Sequence, residues 1–228
     1  MNIGGFQETS LLDYPGKVSA IIWTMGCNFR CPFCYNPDLV FEKTDNVSIE
    51  HILSFLDARK GKIDALSISG GEPFLQRDLK DFISQVKNRG YLVKVDTNGS
   101  FPDRLEELLD ESLIDYLSMD VKATKNKYNE ITGVSVDVDD IRTSIDQIKE
   151  HTGDYEFKTT VIPKFHQKED IVEIARWLKG SKKYFLQQFK SNTSTISSEI
   201  YSPYSKEELL NMCETIKPYF EHCNVRGI

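Results

Sequence analysis

The chain has 228 residues, 39% of them hydrophobic and 28% charged, which suits one folded domain, and we predict that residues 1–228 form one. Its net charge of −7, without a block of lysine or arginine, argues against a nucleic-acid partner, which would bind mainly through neutralised phosphates. The apolar run Val18–Trp23 is too short to cross a bilayer, and Met1–Glu8 lacks the features of a secretory signal. We therefore expect a cytoplasmic protein that does not act at a membrane.

Short runs of β-branched and aromatic residues alternate with longer helical patterns along the chain. The short runs predict strands at Val18–Met25, Ala65–Ser69, Leu92–Asp96, Tyr116–Asp120, Tyr155–Ile162, Tyr184–Phe189 and Asn224–Gly227. The patterns between them predict helices at Ser48–Lys60, Arg77–Arg89, Pro102–Glu111, Asp139–His151 and Glu169–Leu178, and a last helix from Ser205 to Phe220. Ser48 is a predicted N-cap, and Ser205 with Glu208 forms a predicted capping box.

This alternation predicts six βα units and an α/β fold with a parallel sheet. Six units are too few for a closed eight-stranded barrel, so a doubly wound open sheet and a partial (β/α)6 barrel with outer helices both fit the pattern. In either fold the functional residues lie at the carboxyl ends of the strands. Within the chain we distinguish a lead-in at 1–17, a half at 18–122 that carries most motifs, and C-terminal βα units at 123–228.

Three of the five cysteines lie within eight residues, directly after the first predicted strand, in the pattern Cys27-x3-Cys31-x2-Cys34. Clustered thiols in a chain expected in the cytoplasm favour a metal site over a disulfide. Three thiolates can each ligate one iron of a 4Fe–4S cluster and leave the fourth iron open. A zinc site would need a fourth ligand from a distance, and spacing alone leaves this alternative open. Cys213 and Cys223 are predicted to be partly buried free thiols.

The cysteine spacing, with Phe33 before the last thiol, resembles the radical S-adenosylmethionine (SAM) superfamily. The second predicted strand is followed by a run that matches another motif of that family, namely Gly70, Gly71, Glu72 and Pro73. The resemblance implies a partial barrel in which the open iron binds the amino and carboxylate groups of SAM, and an electron from the cluster generates a 5′-deoxyadenosyl radical. It also implies that the glycine motif contacts the amino group of SAM. On its own, this run also fits a tight strand-to-helix turn.

The ends of the next two strands resemble a narrower group, the glycyl-radical enzyme activating enzymes. The matching residues are Asp96, Thr97, Asn98 and Gly99 after the third strand, and Asp120 and Lys122 after the fourth. The resemblance implies that Asp96, Asn98 and Lys122 lie beside SAM. It also implies a monovalent cation, sodium or potassium, held by oxygens of Asp96, Thr97, Asp120 and the Ser118 carbonyl. Without the resemblance, the first run is a turn and the second a surface ion pair.

Three residues on the fifth and sixth strands complete the predicted SAM site. Lys158 lies in mid-strand, where related activating enzymes place a basic residue that meets the cofactor. Gln188 and Lys190 end the sixth strand, where contacts to the ribose or carboxylate of SAM are expected. The alternative is that all three are solvated residues at strand edges.

The run Gly5–Lys17, which on its own predicts a turn before the first strand, resembles the opening of activating proteins for anaerobic ribonucleoside-triphosphate reductase. The implied reaction is abstraction of a glycine α-hydrogen from that partner, with reduced flavodoxin or ferredoxin as electron donor. Alternatives are activation of another glycyl-radical enzyme of the pyruvate formate-lyase type, a small-molecule radical SAM reaction, and a non-catalytic metal-binding scaffold. Tyr35 departs from the pattern, since many activating enzymes have histidine directly after the third cysteine.

Overall fold

The computed structural model describes residues 1–151, 153–191 and 194–228, which are organised by one eight-stranded sheet. The strands are β1 Ile3–Ser10, β2 Ser19–Thr24, β3 Ala65–Gly70, β4 Leu92–Thr97, β5 Tyr116–Asp120, β6 Asp154–Val161, β7 Lys183–Gln188 and β8 His222–Arg226. The α-helices are α1 Pro37–Val40, α2 Ile49–Ala58, α3 Leu79–Lys87, α4 Pro102–Asp110, α5 Tyr128–Thr132, α6 Val138–Glu150, α7 Lys168–Trp177 and α8 Lys206–Ile216. Short 3₁₀ turns lie at Pro73–Leu75, Lys125–Lys127 and Lys217–Tyr219.

The strands lie in the sheet in the order in which they occur in the chain, from β1 to β8. Strands β2 to β8 are parallel, and β1 pairs antiparallel with β2. Consecutive parallel strands joined by right-handed crossovers place their helices on one face, so this order makes a curved partial barrel with the helices outside. A doubly wound sheet would reverse its strand order midway. The predicted partial (β/α)6 barrel is confirmed: six βα units, from β2 with α2 to β7 with α8, are flanked by β1 and β8.

The amino terminus differs most from the sequence-based prediction. Residues Ile3–Ser10 form strand β1, where the sequence predicted a turn leading into the first strand. Gly4 and Gly5 weaken the local strand pattern, because glycine has a low β-propensity. Pairing with β2, with Phe6 opposite Ile22, stabilises this strand instead. Tertiary pairing therefore outweighs the local signal here.

Helix ends follow the predicted capping residues to within a few positions. Ser48 Oγ accepts a backbone N–H at 3.1 Å at the start of α2, and Ser205 and Glu208 form the reciprocal capping box of α8. Helix α8 ends at Ile216, before the predicted Phe220, because a 3₁₀ turn that contains a proline follows it.

An ion pair between a buried carboxylate and a half-buried guanidinium joins the last strand to the interior of the barrel. Glu156 on β6 is 2% exposed, and Arg226 on β8 donates two hydrogen bonds to its carboxylate, at 2.6 and 2.7 Å. Two hydroxyl groups on β5, those of Tyr116 and Ser118, also donate to it, at 2.7 and 3.1 Å. Burial acts to raise the pKa of Glu156, but the guanidinium and the hydrogen bonds more than offset this and hold the pKa below its ordinary value. Glu156 shares a strand face with Lys158, so the pair lies one layer deeper in the barrel than Lys158.

The hydrophobic core lies between the outer face of the sheet and the helices. Parallel strands in such a fold are buried on both faces, and neighbouring residues such as Ile21 and Ile22 on β2 are both inaccessible to solvent. None of the helices in the described ranges is long and apolar enough to span a membrane.

Candidate active site

A cavity of about 300 Å³ opens at the carboxyl ends of the parallel strands. All six βα units contribute to its wall at or near the end of their strands. The lining residues are Cys27, Phe29, Cys31, Phe33, Cys34, Tyr35, Asn36 and Val40 after β2, Ser69, Gly70 and Gly71 at β3, Asp96, Thr97 and Asn98 at β4, Asp120 and Lys122 at β5, Lys158 and Thr160 on β6, and Gln187 on β7. Motifs from separate stretches of the chain therefore meet at one place.

The three cysteines of the loop after β2 line this cavity. Cys31 is buried, and Cys27 and Cys34 are half-buried. Cys34 N–H donates to the carbonyl of Cys31 at 3.0 Å, and the N–H of Phe29 lies 3.4 Å from Cys27 Sγ. Arg30 N–H donates at 2.7 Å to the carbonyl of the last residue of α5. These bonds fix the shape of the cysteine loop and tie it to the rest of the barrel.

Burial decides the protonation state of the thiols. It raises the pKa of Cys27 to about 12, with the charge of Glu72 adding to the effect, and it raises the pKa of Cys31 to about 11 against the opposing charge of Lys122. Both thiols are therefore protonated at neutral pH. A metal that binds them must displace these protons, so metal uptake by the loop releases acid.

The donor set of three thiols, with a backbone N–H beside one of them, is of the kind that holds a 4Fe–4S cluster. A single ion needs three or four ligands that converge on one point, and no three histidine, cysteine, aspartate or glutamate side chains do so within the described part of the chain. A cubane instead takes one thiolate at each of three corners, so its ligands lie further apart. The Phe29 N–H beside Cys27 Sγ is a donor of the kind that tunes such clusters through sulfur.

Gly70 and Gly71 bring the loop after β3 against the start of the cysteine loop. Gly70 has a φ of +118°, a backbone conformation that favours glycine. A Cβ on Gly71 would lie 1.9 Å from the carbonyl oxygen of Gly26, well inside the 3.4 Å of ordinary contact. The same carbonyl accepts the N–H of Glu72 at 2.9 Å. The glycine pair therefore sets the spacing between two walls of the cavity.

Glu72 and Pro73 stand behind this wall, outside the lining of the cavity. The carboxylate of Glu72 is fully buried and accepts hydrogen bonds from Phe74 N–H at 3.1 Å, Thr97 Oγ1 at 2.8 Å and Asn98 N–H at 2.7 Å. Burial raises the pKa of Glu72 to about 7, because these hydrogen bonds only partly offset the loss of hydration. Glu72 thus joins the loop after β3 to the end of β4, and Pro73 begins a 3₁₀ turn.

Lysines and aspartates alternate along the ends of β4, β5 and β6. Asp96 Oδ1 lies 2.7 Å from Lys94 Nζ and 3.2 Å from Lys158 Nζ. Asp120 Oδ1 lies 3.2 Å from Lys122 Nζ, and its Oδ2 lies 3.4 Å from Lys158 Nζ. Burial acts to raise the pKa of each aspartate, but the neighbouring ammonium groups outweigh it and hold both pKa values below the ordinary value. Both carboxylates are therefore ionised and paired.

These residues do not fit the sodium or potassium ion expected from the sequence. The two carboxylates are already matched by ammonium groups. Thr97 Oγ1 donates to Glu72 at 2.8 Å and accepts the N–H of Gly99 at 3.1 Å. Ser118 is fully buried in the middle of β5, outside the lining of the cavity. The carboxylates of Asp96 and Asp120 and the hydroxyl of Thr97 are therefore already engaged with other groups.

At the end of β7, the residue that lines the cavity is one position earlier in the chain than the predicted Gln188. Gln187 lines the cavity, whereas the predicted Gln188 and Lys190 do not. Side chains alternate between the two faces of a strand, so Gln188 lies on the other face, where its Nε2 donates to the carbonyl of Tyr204 at 2.6 Å. The backbone N–H of Lys190 donates to the hydroxyl of Tyr35 at 2.7 Å. A shift of one position on a strand exchanges one face for the other, which is the reason for this correction.

Tyr35 links the cysteine loop to the segment that follows β7. Its ring stacks on Phe189, with the ring centroids 5.3 Å apart and 17° between the ring planes. The N–H of Ile196 donates to the carbonyl of Cys34 at 3.2 Å in the same region. The tyrosine that stands in place of the usual histidine therefore packs the later segment along the cysteine loop.

Four residues on strands were missed by the sequence-based prediction. Lys94 pairs with Asp96, and Ser69, Thr160 and Gln187 line the cavity. Lys94 lies two positions before Asp96, and Thr160 lies two positions after Lys158, so the period of two in a strand could have found them. Gln187 follows from the pairing of β6 with β7, where it stands opposite Thr160, and no local pattern shows that register.

Comparison with known proteins agrees with this geometry. The model of the radical SAM superfamily matches residues 21–178. A Methanocaldococcus jannaschii protein named "putative glycyl-radical enzyme activating enzyme" is 36% identical over 232 residues, which cover 99% of this chain and 96% of that protein. A pyruvate formate-lyase-activating enzyme of Staphylococcus aureus is 30% identical over 142 residues, which cover 56% of this chain and 55% of that enzyme.

The fold is also found among solved structures. Streptococcus suis SuiB, in a crystal structure bound to S-adenosylmethionine, superposes with a TM-score of 0.71 over 90% of this chain at 16% identity. The matched part is 49% of the SuiB chain, so this chain spans about half the length of that protein. At this identity the likeness concerns the fold alone.

Proposed function

We propose the substrate of this enzyme from the premise that the chain belongs to the radical SAM superfamily and is of the glycyl-radical enzyme activating type. Its cofactors, as the family implies, are a 4Fe–4S cluster and SAM. When bound, these groups supply a 5′-deoxyadenosyl radical that removes a hydrogen atom from the substrate. We assign that hydrogen to the α-carbon of one glycine in an anaerobic ribonucleoside-triphosphate reductase.

The proposal is supported above all by one observation. Three thiols, the wall formed by Gly70 and Gly71, and the lysine–aspartate network meet at one end of an open barrel. Strands β1 and β8 form the two edges of the sheet, and no pairing joins them in the ranges that the structure describes. An open side admits an extended peptide segment to the cavity. Glycine suits the reaction because it has no side chain to block approach, and its Cα radical is delocalised over the flanking amides.

We propose distinct roles for the residues of the site. The cluster is held by Cys27, Cys31 and Cys34. SAM lies against Phe33, Gly70, Gly71, Asp96, Asn98, Lys122, Lys158 and Gln187. The ammonium groups of Lys122 and Lys158 supply positive charge for the carboxylate of SAM. The wall is positioned by Glu72 and Pro73, and Lys190 is assigned to the rim because its N–H bonds to the cavity-lining Tyr35.

Asn98 is held rigidly for its proposed contact with SAM. Its backbone N–H donates to Glu72 at 2.7 Å, and its Nδ2 donates to Asn28 Oδ1 at 2.9 Å. Its Oδ1 accepts the N–H of Ser100 at 3.0 Å. These bonds connect the end of β4 to the cysteine loop, so cofactor and cluster are positioned by one network.

The cellular setting forms part of the proposal. Reduced flavodoxin or ferredoxin is the proposed electron donor. The cytoplasm is the proposed compartment, since none of the five cysteines forms a disulfide. Nucleic acid and membrane surfaces have no proposed role in a chain with a net charge of −7. The sodium or potassium ion is left out of the proposed mechanism because its expected carboxylate ligands are paired with lysines.

Deuterium transfer tests the proposed reaction. Reduced enzyme and SAM are mixed anaerobically with the reductase, and we expect a doublet electron paramagnetic resonance signal, because a glycyl radical couples to its remaining α-hydrogen. Reductase made with glycine deuterated at Cα should collapse the doublet and place deuterium in 5′-deoxyadenosine. The Cys31→Ala enzyme is the control that should give neither result.

Two outcomes would change the assignment. A doublet on an enzyme of the pyruvate formate-lyase type, with none on the reductase, would replace the proposed partner. Deuterium transfer from a labelled small molecule, with no radical on either protein, would overturn the assignment to a protein glycine.

A further inference from the structure

The ammonium group of Lys158 lies between two carboxylates that come from adjacent strands. Its Nζ is 3.2 Å from Asp96 Oδ1 on β4 and 3.4 Å from Asp120 Oδ2 on β5. Lys158 stands directly opposite Asp120 in the pairing of β5 with β6, so the register of the sheet creates the contact. The side chains are only 20%, 13% and 19% exposed, so solvent screens these charges weakly.

Lysine side chains of the protein more than neutralise the two carboxylates of this site. Two aspartates face three lysines, Lys94, Lys122 and Lys158, so the network carries an excess positive charge. Three of the four carboxylate oxygens contact a lysine, namely Asp96 Oδ1 and both oxygens of Asp120. A further cation here would add like charge where screening is weak, and it would have to displace Lys158 to reach both aspartates.

We propose that the ammonium group of Lys158 takes the place of a monovalent metal ion between Asp96 and Asp120, so that this enzyme binds SAM without sodium or potassium. An ammonium carries the same single charge as these ions and directs three N–H donors at oxygen atoms. Asp96 accepts one of them, Asp120 lies within ion-pair distance at 3.4 Å, and Lys158 lines the cavity in which the carboxylate of SAM is proposed to lie. The inference rests on the proposed function for its ligand, SAM, and is independent of which protein supplies the glycine.

The affinity of the wild-type enzyme for SAM tests this inference without any partner protein. Isothermal titration of the reconstituted enzyme is run at constant ionic strength in the chlorides of tetramethylammonium, sodium and potassium. We expect the three dissociation constants to agree within about twofold. A loss of affinity of about tenfold or more in tetramethylammonium, restored by sodium or potassium, would overturn the inference.

Lys158→Met provides a second arm, since methionine fills similar space without the charge. The two aspartates then lack their shared partner, so we expect SAM affinity to fall about tenfold in tetramethylammonium and to recover in potassium or sodium. Broadening of the sodium-23 resonance should show ion binding to this variant and none to the wild type. Lys183→Met, which removes a lysine that pairs with Asp154 at 2.8 Å on the neighbouring strand, should behave as the wild type.

The variant also offers a result against the inference. A Lys158→Met protein that keeps its iron, loses SAM affinity and is rescued by neither ion would overturn the equivalence of ammonium and metal. A negative result in these titrations would contradict the inference without contradicting the proposed function, because SAM binding is measured without radical chemistry. An enzyme that needs potassium to bind SAM and still labels a glycine would keep the function and lose the inference.

Discussion

Gly71→Ala perturbs the contact that holds the cysteine loop against the loop after β3. The alanine Cβ would lie 1.9 Å from the carbonyl oxygen of Gly26 and 2.6 Å from its carbonyl carbon. The two loops must separate by about 1.5 Å to reach ordinary contact at 3.4 Å. The φ of Gly71 is outside the left-handed region, so the obstacle is space and not backbone conformation. The new methyl group therefore pushes on the residue that precedes Cys27.

The expected loss of stability has two parts. Strain from a methyl group inserted into a packed region is about 1–3 kcal/mol. The buried hydrogen bond from Glu72 N–H to the Gly26 carbonyl, at 2.9 Å, is worth about 1 kcal/mol and is lost when the loops separate. We expect the free energy of unfolding to fall by roughly 2–4 kcal/mol. Iron binding should fall more sharply than stability, because the displaced Gly26 is bonded directly to Cys27.

Iron per chain after anaerobic reconstitution and the free energy of chemical unfolding measure the two effects. The wild type should hold about four irons, and Gly71→Ala fewer than about two. Gly90→Ala is the matched control, because Gly90 has a φ of +87° and nothing lies within 4 Å of its added Cβ. That variant should lose about 1 kcal/mol to backbone strain and keep its iron. Full iron and wild-type stability in Gly71→Ala would refute the steric reasoning.

Two further predictions concern the thiols and the ion pair between β6 and β8. Alanine at any one of the three loop cysteines should abolish iron retention, these being Cys27, Cys31 and Cys34. Cys213→Ala and Cys223→Ala, which lie outside the cavity, should keep the iron, and a dependence on either would contradict the ligand assignment. Arg226→Met should lower the free energy of unfolding by about 3 kcal/mol, because it leaves the buried carboxylate of Glu156 unpaired. Because the pKa of Glu156 is lowered by folding, its ionised carboxylate stabilises the fold fully above the ordinary pKa of 4.5, and this stabilisation is lost as the pH falls below that value. The free energy of unfolding, measured against pH, should therefore fall less on acidification in Arg226→Met than in the wild type. An equal fall in both proteins would count against the pairing.

Local patterns explain why most of the barrel could be predicted from the sequence. The strand at Tyr116–Asp120 was predicted at both ends, and the capping box at Ser205 marks the start of α8. The motifs could be expected to meet because parallel strands place their carboxyl ends at one edge of the sheet. Each of these signals is contained within a few consecutive residues.

Features that depend on strand pairing could not be predicted in the same way. Strand β1 contains Gly4 and Gly5 and is stabilised by its partner β2. The choice between Gln187 and Gln188 depends on the face that β7 turns toward the cavity. The place of Lys158 between two carboxylates depends on the register of β5 with β6. In each case the decisive contact is made by residues far apart in the chain, where a local pattern carries no information.

The pairing of Glu156 with Arg226 affects the order in which the strands of the sheet can assemble during synthesis of the chain. The two residues are 70 positions apart, so β6 leaves the ribosome long before its ionic partner has been made. Until then the carboxylate of Glu156 has no guanidinium beside it, and an unpaired charge opposes its burial as β6 and β7 join the growing sheet. Glu156 therefore gains its guanidinium partner only when β8 pairs with β7. Addition of that last strand extends the sheet and gives the buried carboxylate its ionic partner at the level of Gln187, which lines the cavity.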